Sequence, residues 1–174
     1  MSTNLIFNNV ARFIGLLLLQ VLVFKQMALS WSGFNYAQIY IYPVFILLLP
    51  VRLPHALAIG AAFLFGLGID TFYNSLGIHA GACVFSAFIR PLVLGIWEPR
   101  GGYDTIPTPS MEVLGTTWFA RYTAVMLVIH LFFYFSIDAF SFVFMGDILI
   151  KTIFSFLISY LFIMMYQFLF AHKV

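Results

Sequence analysis

Six apolar stretches, most of them close to twenty residues long, follow one another with little between them, and this pattern limits what the chain can become. A helix that crosses about 30 Å of hydrocarbon needs about 20 apolar residues. The stretches run about 5–24, 37–50, 54–73, 78–97, 118–137 and 148–170, and the longest connection, about twenty residues, leaves no room for a soluble domain. Of the 174 residues, 63% are hydrophobic and only 8% charged, against roughly 25% charged in a soluble domain. So few charges cannot cover a water-facing surface, whereas a surface solvated by lipid tails needs almost none. The expected fold is an all-α integral membrane protein, with about six transmembrane helices in one compact bundle and residues 1–174 forming a single polytopic domain.

The 37–50 stretch is the shortest, and Pro43 and Pro50 make it the one expected to bend or to re-enter. Pro54 suits the first turn of the next helix, where a missing N–H is harmless. The N-terminal apolar run is longer than the core of a signal peptide and no small-x-small site follows it, so it reads as a retained first span. With the N-terminus inside, Arg12, Arg52, Arg90, Arg100, Arg121 and Lys173 fall at or near cytoplasmic ends, and Lys25 and Lys151 on the other side. That distribution follows the positive-inside bias and places both termini in the cytoplasm. Trp31, Tyr36, Tyr40, Trp97, Tyr103, Trp118 and Tyr122 lie near span ends, where amphipathic rings favour the headgroup layer. A net charge of +2 gives no electrostatic footprint for nucleic acid. The single cysteine, Cys83, allows no intrachain disulfide, and four scattered histidines show no metal-ligand spacing, so neither a metal nor a cofactor is expected.

Inside a bilayer, helices come together through small side chains and interhelical hydrogen bonds. Ala58, Ala62, Gly66 and Asp70 recur every four residues and form such a stripe on the third span. On the fourth, His79, Cys83, Ser86 and Arg90 share one side. Asn74 and Gly77 suit a tight reversal between the two. Antiparallel packing then returns His79 beside Asp70 near the outer end, as a contact that closes the hairpin. An Asp–His pair without a nucleophile is a weak catalytic signal. Arg90, before Pro91, is expected to snorkel or to bond a carbonyl freed by the proline, and Arg12 reads the same way. His130 is the most deeply placed ionisable residue, a functional candidate by position and more simply a hydrogen-bonded partner of a neighbouring helix. Gln20 and the Thr152, Ser155 and Ser159 face of the last span are similar polar glue. In the longest loop, Thr108 and Pro109 are expected to open a short helix carrying Met111, Val113 and Leu114 along the membrane surface.

Six spans in about 170 residues, with "LGIDTFYNSLGIHAGACVFSAFIRP" after the second span, resemble the rod shape-determining protein MreD family. The matched positions are Gly66, Gly68, Asp70, Leu76, Gly77, Ala80 and Ala82. "RPLVLGIWEPRGGYD" and "SIDAFSF" resemble the branch of that family with a longer central loop. The resemblance implies a fold related to the substrate-binding S components of energy-coupling-factor transporters. It implies a non-enzymatic inner-membrane protein that works with an MreC-like bitopic partner, near an MreB-like filament, a RodA-type transglycosylase and a class B transpeptidase. It supplies no catalytic residue; Asp70, Leu76 and Gly77 carry over as motif positions with a structural role. The alternative reading is a transporter or small-molecule-binding S component, which would be favoured by a wet polar cavity lined by Asp70, His79, Arg90 or His130.

Overall fold

A computed structural model of the chain describes residues 3–27, 29–31, 34–75 and 77–170. Its helices are α1 (Thr3–Leu22), α2 (Val44–Leu47), α3 (His55–Tyr73), α4 (Ile78–Ile96), α5 (Met111–Leu114), α6 (Thr116–Ala139) and α7 (Met145–Phe170). α2 and α5 are single turns. The other five are, among the described residues, the helices long and apolar enough to cross a membrane. Their outward faces carry Leu57, Leu64, Phe88, Leu92, Ile153, Leu157, Leu161 and Phe168, all exposed. In water such surfaces would drive aggregation; in hydrocarbon they are the expected solvent contact. The protein is therefore a multi-pass membrane protein built as a compact helical bundle.

The α3–α4 hairpin is the tightest joint. At Gly66 an added Cβ would lie 2.5 Å from the Ala80 Cα and 2.7 Å from the His79 carbonyl oxygen, so the two backbones meet with no side chain between them. Ala58, Ala62, Gly66 and Asp70 are all buried on this joint's side of α3. The reversal uses Asn74 at φ 53° and Gly77 at φ 82°, both left-handed, a conformation natural for these residue types. Leu76 lies outside the described residues. α6 packs on α4 through the stacked Phe85 and Phe133 rings, 3.8 Å between centroids. α7 returns along α6, with the Tyr160 hydroxyl donating to the Ala120 carbonyl at 3.3 Å.

The 37–50 stretch departs from the expected second helix. After a short antiparallel hairpin, β1 (Leu29–Trp31) with β2 (Phe34–Ala37), the chain runs without regular structure, and only the single turn α2 interrupts it. Pro43 begins that turn and Pro50 follows it, so too few residues lie between them for a membrane-long helix. Every residue from Ile39 to Pro50 is buried. Gln20 bonds Ile39 and Ile41 while Arg12 bonds Leu48, so the segment runs antiparallel to α1. Among the described residues, five long helices thus pack with a buried, largely non-helical segment, residues 37–50.

The long loop is folded onto the bundle. The Tyr103 hydroxyl donates to the Leu94 carbonyl at 2.8 Å and the Trp118 indole N–H to the Trp97 carbonyl at 2.7 Å. These aromatic donors satisfy carbonyls that the end of α4 leaves open. The cap of α5 is Ser110, whose hydroxyl accepts the Val113 N–H, and not Thr108 as the Thr-Pro pair suggested. Met111 turns into the core while Val113 stays exposed.

Candidate functional site

Lipid offers no hydrogen bonds, so irregular backbone at membrane depth survives only where protein groups satisfy it. In this chain the intramembrane polar side chains perform that task. The Gln20 amide donates to the Ile39 carbonyl at 2.9 Å and accepts the Ile41 N–H at 2.9 Å. Its amide nitrogen also lies 2.8 Å from the Tyr73 hydroxyl. From α7, Ser155 accepts the Gln38 N–H at 3.1 Å and Ser159 the Tyr40 N–H at 2.8 Å. At the other end, Tyr122 donates to the Leu47 carbonyl at 3.2 Å and Arg12 to the Leu48 carbonyl at 3.1 Å. Arg90 donates to the Leu49 carbonyl, and its Nε to the Tyr122 hydroxyl at 3.1 Å. Arg90 is 4% exposed, so it neither snorkels nor serves a carbonyl of its own helix. Its guanidinium sits inside the bundle, where it bridges the 37–50 segment and α6.

His130 belongs to the same system. Its Nε2 lies 2.7 Å from the Tyr42 hydroxyl and its Nδ1 2.8 Å from Ser86 Oγ, so one ring ties α6 to α4 and to the 37–50 segment. The cavity beside it, lined by Pro43, Ser86, Met126 and His130 among others, holds about 10 Å³. That is the room of one water.

The second cluster is the corner between α3 and α4. Asp70 Oδ1 accepts from Ser75 Oγ at 2.5 Å and from the His79 N–H at 3.0 Å, and lies 2.9 Å from His79 Nδ1. Oδ2 accepts the Ala80 N–H at 2.9 Å. The cap position of α4 is Gly77, which has no side chain to offer. Asp70 therefore caps α4 from the neighbouring helix and places its charge at the positive end of the α4 dipole. The His79 imidazole is ringed by Tyr73, Tyr134, Tyr42 and Tyr40 at centroid distances of 4.7, 4.9, 5.6 and 6.4 Å. Among the described residues its Nε2 has no hydrogen-bond partner. Nearby, Lys25 donates to the Phe72 carbonyl at 2.6 Å and so covers the open end of α3.

The structure brings Asp70 and His79 into direct contact, and joins Ser86 to His130 and Arg90 to Tyr122. Ala58, Ala62 and Gly66 serve close packing, Gly66 against the α4 backbone at His79 and Ala80. Reading the residues missed Tyr42, which looks like ordinary aromatic bulk in a chain where 20% of residues are aromatic, and took Tyr122 for a headgroup-layer ring, whereas it is fully buried between Arg90 and the Leu47 carbonyl. It also missed what Gln20, Ser155 and Ser159 bind; two prolines in one short apolar run were the available signal. Among the described residues no group of three or more His, Cys, Asp or Glu could hold a metal ion. Fold and site define a polytopic helical membrane protein whose interior polar groups bind its own backbone. Comparison with protein families, curated proteins and solved structures returns no match.

Proposed function

We propose that the chain is a non-enzymatic scaffold of the bacterial inner membrane, of the rod shape-determining MreD type. In this reading it binds an MreC-like bitopic protein and links a RodA-type transglycosylase and a class B transpeptidase to an MreB-like filament. One observation carries the reading beyond the sequence resemblance. The polar side chains that could perform chemistry are engaged by the 38–49 backbone and the Asp70 corner, while the outward surface is apolar helix suited to other spans. We further infer that residues 37–50 make a sixth pass, which puts both ends of the chain on the cytoplasmic side with Arg52, Arg100 and Arg121. The S-component reading draws no support from the cavity beside His130, which is far below the roughly 300–1,000 Å³ of small-molecule sites.

Isolation of the full chain in native lipid discs tests the proposal. A one-span protein with a large extracytoplasmic domain should copurify in a fixed ratio. Recovery of the chain alone with a tightly held small molecule would replace the scaffold reading with the transporter one.

A further inference from the structure

A cavity of about 530 Å³ lies between α1, the end of the 37–50 segment and α3. Val10, Phe13 and Ile14 of α1, Phe45 and Leu49 of the segment, and Ala61 of α3 form its walls. Asn9 is the sole polar residue on the lining, and its Oδ1 accepts from Arg12. A buried water needs two to four polar partners, so water does not fill this space. The space is open along one side rather than enclosed, and its apolar walls offer dispersion contacts to an apolar group lying in it. Val10 and Ile14 are about half exposed, so the cavity borders the lipid-facing side of α1. Hydrocarbon from the surrounding bilayer is the occupant that such a space accepts.

The polar end of that occupant follows from a residue that adjoins the lining in sequence. Arg52 stands in sequence between Pro50 and Leu53, both on the lining, and its side chain is 68% exposed. Its partner Asp104 lies at 3.7 Å and is itself almost fully exposed, a surface pair that contributes little and is readily exchanged. No acidic residue lines the cavity. We propose that this is a phospholipid site: one acyl chain fills the α1–α3 cavity, and an anionic headgroup lies against Arg52.

The probe is phosphatidylglycerol carrying a photoreactive acyl chain, with phosphatidylcholine carrying the same chain as the neutral comparison. Both are reconstituted with the full chain in vesicles. Labelling should concentrate on residues 9–14, 45–53 and 61. Ala61→Trp, which fills the cavity, should cut labelling there about tenfold. Arg52→Gln leaves the cavity intact and should remove an anionic preference of about fivefold without changing labelling by the neutral lipid. Labelling spread evenly over all lipid-facing helices, or unchanged in a monodisperse Ala61→Trp protein, would overturn the proposal. So would displacement of the probe by a copurified protein's span, which would make the cavity a protein contact.

Discussion

Gly66 shows how much one missing side chain decides. A methyl at this position would lie 2.5 Å from the Ala80 Cα, and backbone on both sides leaves nothing to rotate away. Gly66→Ala should therefore cost about 1–3 kcal/mol, the usual range for overpacking. At Gly60 the same methyl meets nothing within 4 Å, so Gly60→Ala serves as the matched control. Thermal unfolding in one detergent should show a lowered midpoint for the first and none for the second; equal midpoints would show that the α3–α4 contact is not tight. Asp70 is the polar counterpart. Both its oxygens accept backbone N–H groups of α4, and Asn can offer only one acceptor with a donor beside it. Asp70→Asn should cost about 1–3 kcal/mol, the penalty for an orphaned buried group. A stable Asp70→Asn protein would mean that the carboxylate is not the cap of α4.

At the scale of elements, the 37–50 segment is held by side chains where the long helices are held by their own helical ladders. Gln20→Leu keeps the shape of α1 but orphans the Ile39 carbonyl and the Ile41 N–H, at about 1–3 kcal/mol for each. Hydrogen exchange should then quicken at residues 39–42 while the middle of α4 stays protected. Uniform quickening, or none, would show that Gln20 does not hold the segment. Arg90→Lys should fail to restore an Arg90→Met loss, because an ammonium lacks the fork that reaches both the Leu49 carbonyl and the Tyr122 hydroxyl. The loop has its own pH signature. Burial first, and then the neighbouring Tyr122 and Glu98, push Tyr103 from 10.0 up to about 12. A raised folded value means that its contribution is whole below about pH 10 and is lost as pH rises through about 12. Tyr103→Phe should abolish that alkaline step in loop protection; its persistence would assign the step to another group. The five long helices were legible because each carries a membrane-length apolar run. The 37–50 segment was legible only as an anomaly, because its apolar side chains match those of a helix and its stabilising partners lie on four helices, α1, α4, α6 and α7.

For the whole molecule, the interior polar groups change meaning once their partners are known. Read singly, Arg90, His130 and the Asp70–His79 pair suggest intramembrane chemistry. Together they join the helices and a buried non-helical strand into one structure, as Gln20, Ser155 and Ser159 also do. The small-residue stripe was visible from its four-residue spacing, whereas the tyrosine ring around His79 draws on α3, α6 and the 37–50 segment, and no local pattern announces it. Lys25, on the side opposite most of the basic residues, is likewise accounted for by the Phe72 carbonyl it covers. The direct test of this arrangement is the side of the membrane on which the two ends of the 37–50 segment lie. In a Cys83→Ser background, single cysteines at Met27 and at Arg52 can be probed in intact cells with a maleimide that does not cross the membrane. Labelling of the cysteine at Met27 alone, with that at Arg52 reacting only after the membrane is opened, is the expected result. Equal labelling of both from one side would mean that residues 37–50 turn back within the bilayer, and the buried crossing would have to be abandoned.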